Sequence, residues 1–279
     1  MLNGFAADTL AYTAHFALIR ELRTTPKPGL VDEMNNGAHT DMDIPLFEKS
    51  AASLVPYFRQ AALAGIADAG METLKARGLD AEKAMFSATG GVNTHKGMIY
   101  SMGLLLYGMG RALETGSDAR EAAAELARTD SAARLKDAAR LKGTNGGAVY
   151  AKTGAKGAIG EAAEGFPHAA ACAGRLRHYA SVGSSEPGAL ALCDTMAVLS
   201  DTNVLHRGGQ EGLAFVQAEA GRISSLPASE RVGAITELDH ELIRRNLSPG
   251  GSADILALAY LLNAWEELSA HLFSPEDSL

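Results

Sequence analysis

No stretch of this 279-residue chain alternates β-branched and polar residues long enough to make a strand. Apolar residues recur instead at helical spacing, so any core must be built from packed helices. Leu10, Ala14, Ala17, Leu18 and Leu22 show the pattern in the first segment, which reads as a helix capped by Asp8 and running to about Arg23. Pro26 and Pro28 end it, because proline lacks a donor and restricts the residue before it. The same reading predicts helices over about 45–65, 82–89, 95–113, 117–141, 169–181, 187–200, 209–223 and 229–245, and a last one capped by Ser252 and reaching about Leu272. Segment 143–160, rich in glycine and lysine, is expected to be a mobile loop, and 183–188 a turn. With no long linker and no internal repeat, the expectation is all-α: one compact multi-helix domain over 1–279, with glycine-rich polar loops lining a cleft.

Four polar, glycine-bearing islands interrupt the Ala/Leu-rich background: 26–43, 91–97, 201–209 and 248–254. The first holds Lys27 between two prolines, then Asp32, Asp41 and Asp43 with Asn35, Asn36 and His39 among them. Clustered oxygen ligands suit Mg²⁺, and equally suit turns and helix caps. Lys27 reads as a phosphate contact or as surface. In the second island Asn93, Thr94, His95 and Lys96 precede an apolar helix. Its free N–H groups, with the Lys96 charge, suit an anion, His95 is a candidate proton donor, and Asn93 or Thr94 alternatively just caps the helix. In the third, Asp201 with Arg207, Gly208 and Gly209 has the form of an acid-plus-cation clamp, or of a helix end with a glycine stop. In the fourth, Gly250, Gly251 and Ser252 open another candidate anion-binding helix start, with Asp254 in its first turn where it also complements the dipole. Glu161 and Glu164, three residues apart, would share a helical face, as a cation site, an acid and base pair, or a solvated end. No Walker phosphate loop is present.

Composition excludes several classes. The 33 acidic against 25 basic residues, a net of −8, argue against nucleic-acid polymers and anionic membranes as partners. Cys172 and Cys193 make no disulfide framework and read as buried thiols of a reducing compartment. With no signal region and no apolar run of membrane length, a cytoplasmic protein is expected.

Taken together the islands resemble the triphosphoribosyl-dephospho-coenzyme A synthase family, whose members make the prosthetic-group precursor of citrate lyase or malonate decarboxylase. The matching strings are P-K-P-G-L-V-D with N-x-G-A-H-x-D-M (26–42), A-T-x-G-V-N-T-H-K-G (88–97), G-E-A-x-x-G-F-P (160–167), D-T-N-V-x-x-R-G-G (201–209) and N-L-S-P-G-G-S-A-D (246–254). They keep the family's order and span most of the chain. One position departs: Ile159 stands where the resemblance leads us to expect Arg, with Lys152 or Lys156 as the replacement cation.

The resemblance implies an all-helical enzyme that attacks C1′ of the ATP ribose with the 2′-hydroxyl of 3′-dephospho-coenzyme A, releases adenine and keeps the triphosphate. It implies Mg²⁺, with Asp41, Asp43, Glu161 and Glu164 as ligands or as stabilisers of the ribosyl cation. Asp32 or Asp201 is then the candidate base and His95 an acid towards adenine. Lys27, Asn93, Thr94, Lys96, Arg207, Gly208, Gly250, Gly251 and Ser252 are candidate nucleotide and phosphate contacts. A homodimer, and hand-over of the product to the transferase that loads the acyl carrier protein, are the expected partnerships. The rival readings are a Mg²⁺-dependent helical ribosyl or ADP-ribosyl hydrolase and a non-catalytic nucleotide-binding protein.

Overall fold

The computed structural model describes residues 2–136 and 145–272. Among them every regular element is an α-helix: α1 (Leu2–Arg23), α2 (Ile44–Ile66), α3 (Gly70–Ala88), α4 (Lys96–Thr115), α5 (Ala119–Lys136), α6 (Asn145–Thr153), α7 (Gly157–Ala163), α8 (Pro167–Ser181), α9 (Pro187–Met196), α10 (Thr202–Ser224), α11 (Ala228–Arg244) and α12 (Gly250–Leu272). Two helices are apolar on nearly every face and therefore lie inside. α4 is surrounded by α1, α2, α3, α5 and α7, and α12 by α1, α8, α9 and α10. α1 touches both centres and joins the two halves into one core.

The helical expectation holds, and the boundaries shift where tertiary contacts decide. α1 is already formed at Leu2, so Asp8 does not cap it; its carboxylate meets Arg59 of α2 at 2.6 Å. α3 starts at Gly70, twelve residues before the expected Glu82, because Met71, Leu74, Ala81 and Met85 form a buried stripe. The described part of 143–160 is not a loop but carries α6 and α7; Val149 is buried against the core, and that outweighs the roughly 1 kcal/mol by which each glycine disfavours a helix. Gly209 does not open α10 but kinks it, at φ 61 and ψ −159.

α2 and α4 approach so closely that glycine is required at their crossing. A Cβ at Gly110 would lie 2.2 Å from the Ala62 carbonyl oxygen, and one at Gly65 would lie 1.9 Å from that of Tyr107. Backbone cannot yield as a flexible side chain does, so Gly110→Ala should push the helices apart and lower stability by about 1–3 kcal/mol. Urea unfolding measures it, and a change below a few tenths of a kcal/mol would show that the crossing is looser than described.

Candidate active site

The loop after α1 is organised by side-chain caps. Asp32 takes Lys27 N on one oxygen (2.8 Å) and Met34 N and Asn35 N on the other (2.8 and 3.1 Å). Both oxygens are thus committed to folding the loop, and Asp32 lies outside the cleft lining, which corrects its expectation as a base. Asp43 is the N-cap of α2, accepting from Leu46 N at 2.9 Å, and is likewise off the cleft. Lys27 is not a surface cation: its side chain is 2% exposed and its Nζ lies 2.5 Å from Glu21 Oε1 on the last turn of α1.

Three helix N-termini face Lys27 and Glu21 across the cleft: those of α4, α10 and α12. At the first, His95 places Nδ1 2.6 Å from Ser50 Oγ, which is 2.6 Å from Thr94 Oγ1. Burial, and then the Lys27 charge, lower the His95 pKa to about 4. Its imidazole is therefore neutral at pH 7, a hydrogen-bonding group rather than the expected imidazolium acid. Lys96 lines the mouth and pairs with Glu82 of α3, while Asn93 Oδ1 accepts from Lys96 N at 3.4 Å.

At the second N-terminus Asp201 accepts four hydrogen bonds. Asn203 N (2.9 Å) and Val204 N (3.2 Å) reach one oxygen, and Ser252 N (2.7 Å) and Oγ (2.9 Å) the other. Burial raises its pKa against the pull of these donors. A carboxylate so saturated pins α10 to α12 and has no free oxygen to take a proton, so Asp201 is corrected from base to structural clamp. Ser252 is its partner, not the cap of α12, and does not line the cleft. Gly251 permits the junction, since a Cβ there would sit 3.1 Å from the Asp201 carboxylate. Gly250 faces the Asn203 side chain, and both glycines line the cleft. Gly208 packs on Leu247 and does not.

Arg207 reaches back from α10 to hold two loops. Its Nη1 donates to the Ala38 carbonyl (2.9 Å) and Asn246 Oδ1 (3.0 Å), and its Nη2 lies 3.3 Å from His39 Nδ1. His39 Nε2 is 2.8 Å from Ser248 Oγ; burial and the Arg207 charge lower its pKa. Asp41 stands beside this pair with a largely exposed side chain.

On the third wall, α7, Glu161 does not face Glu164. It turns inward to accept from Ala169 N at 3.0 Å and meets His168 Nδ1 at 2.7 Å, whereas Glu164 is exposed and 3.4 Å from Lys156 Nζ. Ile159 lines the cleft where Arg was expected, one turn after Lys156, which lines it too. Lys152 borders a separate pocket of about 400 Å³ instead.

These walls enclose a cleft of about 990 Å³. It brings together Lys27, Asp41, Asn93, Thr94, His95, Lys96, Glu161, Glu164, Asp201, Arg207, Gly250 and Gly251. Three of the four carboxylates expected to ligate Mg²⁺ are engaged by protein groups. Asp43 caps α2, Glu161 caps α8, Glu164 pairs with Lys156, and the described residues hold no group of three or more His, Cys, Asp or Glu placed for a metal. The sequence reading missed Glu21, which looked like an ordinary residue of a helix end, and left Asp254 as a dipole partner. Both line the cleft. Their signal was positional: Glu21 lies five residues before a Pro-Lys-Pro, and Asp254 three residues after a Gly-Gly. Among the described residues no helix is long and apolar enough to cross a membrane.

The family model of ATP:dephospho-CoA triphosphoribosyl transferase matches residues 7–272. The 2-(5″-triphosphoribosyl)-3′-dephosphocoenzyme-A synthase of Pectobacterium atrosepticum is 41% identical over 266 residues, covering 88% of this chain and 85% of that protein. Its namesake from Klebsiella pneumoniae is 37% identical over 281 residues, covering 95% and 93%. A crystal structure from Archaeoglobus fulgidus, carrying the triphosphoribosyl-dephospho-CoA synthase name, shares the fold at a TM-score of 0.52 and 22% identity, over 78% of this chain and 97% of that one. By the span of the family match and the identity to these relatives, the chain belongs to the ATP:dephospho-CoA triphosphoribosyl transferase family.

Proposed function

We propose that the chain transfers the 5-triphosphoribosyl group of ATP to the 2′-hydroxyl of 3′-dephospho-coenzyme A, releasing adenine. Besides the family match, the convergence of three helix N-termini with Lys96 and Arg207 around one large cleft supports this reading. The positive dipole ends of these helices suit a triphosphate, and Lys96 and Arg207 add positive charge. Lys156, one turn before Ile159, is the cation that lines this wall of the cleft. ATP enters as its Mg²⁺ complex, in which the cation is held chiefly by phosphate oxygens and water. Cleavage of the C1′–N bond builds positive charge on the ribose, as in glycoside cleavage, and the carboxylates of the cleft favour that charge. Holding two nucleotides in line contributes much of the rate, on the order of 7–11 kcal/mol for well-oriented reactants.

The test is adenine release from MgATP with and without 3′-dephospho-coenzyme A, with the mass of the nucleotide product. Acceptor-dependent adenine and a product heavier by one triphosphoribosyl group are expected. Adenine without acceptor indicates a hydrolase, and ATP binding without adenine a binding protein. The finer partnerships belong to the same proposal: the product passes to the transferase that loads an acyl carrier protein, and two copies of this chain pair. Exposed Phe5, Tyr12 and Phe16 at one stripe of α1 support the pairing. Sedimentation of the wild type and of Phe16→Arg decides it, a monomer in both refuting the dimer.

A further inference from the structure

The cleft carboxylates differ in one respect that bears on proton transfer. Asp201 and Glu161 have both oxygens hydrogen-bonded, Glu21 is paired with Lys27, and Glu164 with Lys156. Asp41 is largely exposed at the mouth, near Arg207 and His39. Asp254, the fifth residue of α12, is partly buried in the cleft wall and takes part in no hydrogen bond or ion pair among the described residues. The facing helix is hollowed to admit it: a Cβ at Gly97 of α4 would stand 2.9 Å from Asp254 Oδ2. A cleft-lining acid given no protein partner is placed to exchange a proton with whatever fills the cleft.

We propose that Asp254 is the catalytic base that takes the proton from the attacking hydroxyl of the acceptor nucleotide. This rests on the transferase reading. The O2′–H bond breaks as O2′ bonds to C1′ of the ATP ribose, and the proton goes to the Asp254 carboxylate. The C1′–N9 electron pair leaves with adenine, which gains a proton from water, and Asp254 later returns its proton to water. The charged and titratable groups around it are Glu21 on α1, Lys27 on the following loop, His95 and Lys96 at the start of α4, and Asp201 before α10. Burial first, then the Glu21 and Asp201 charges, raise the Asp254 pKa well above the usual carboxylate value.

The experiment compares wild type, Asp254→Asn and Asp254→Glu for acceptor-dependent adenine release across pH, for ATP binding by calorimetry, and for thermal unfolding. Asp254→Asn should lower kcat by about 10²–10⁴-fold while ATP binding and melting stay near wild type. The acidic limb of the wild-type pH profile should be absent from its residual rate, and Asp254→Glu should recover part of the rate with that limb moved. If Asp254→Asn keeps more than about a tenth of wild-type kcat, or loses rate only in step with ATP affinity, the assignment is overturned. If Asp254→Asn fails to fold, an unmoved acidic limb in Asp254→Glu overturns it equally. Wild type that releases no adenine with both substrates present removes the transferase reading itself, a result distinct from an active Asp254→Asn enzyme.

Discussion

Replacing Lys27 with Met should destabilise the protein by about 3–5 kcal/mol and abolish most of its activity. The side chain is 2% exposed and its partner Glu21 only 11%, so the pair is a buried one. Removing the cation leaves Glu21 ionised, desolvated and unpaired, which is the expensive way to break such a pair. The nearby charges deepen the effect, since Glu21 already raises the Asp254 pKa. Glu21→Gln in the Lys27→Met background should recover much of the lost stability, and the double-mutant cycle isolates the pair's coupling. Urea unfolding of the four proteins measures it. A loss below about 1 kcal/mol for Lys27→Met would mean that water reaches Glu21 and that the pair is effectively at the surface.

Acidification should weaken the fold through His95. Its pKa in the folded protein is about 4 against 6.5 for the free side chain, so between these values the unfolded chain binds the proton and the folded chain does not. Stability therefore rises with pH through that window, is fully present above 6.5, and is lost as pH falls towards 4. The loss through this one group is about 3 kcal/mol, since each tenfold weakening of proton affinity on folding corresponds to about 1.4 kcal/mol. His95→Gln retains hydrogen-bonding capacity towards Ser50 without a titrating ring. The difference in unfolding free energy between it and wild type should change across pH 4–6.5 and be flat above. Parallel curves would show that folding leaves the proton affinity of His95 unchanged.

The helical architecture was legible because its signals are local. The 3.6-residue spacing of Leu10, Ala14, Ala17 and Leu18, and the prolines at 26 and 28, need no knowledge of distant residues. Boundaries that tertiary contacts decide were not legible. The stripe that extends α3 back to Gly70 looks weak alone, and α6 forms on contact with α10. The islands were also visible as islands, and they do meet around one cleft. Assigning their carboxylates was not possible from spacing, because an Asp that caps a turn and an Asp that faces a ligand have the same local sequence context. Asp32, Asp43 and Asp201 are sorted from Asp254 only by which backbone N–H groups the fold brings to them. Glu21 required knowing that Lys27 folds back onto the end of its own helix.

The four bonds to Asp201 have a mechanical consequence. One carboxylate fastens the start of α10, the helix of Arg207, to the start of α12, the helix of Asp254. The arm proposed to meet the anionic end of a nucleotide and the group proposed as base are therefore mounted on a single stiff bracket. Their spacing is set at folding, before any substrate arrives, so the enzyme need not spend conformational freedom at each turnover to align them.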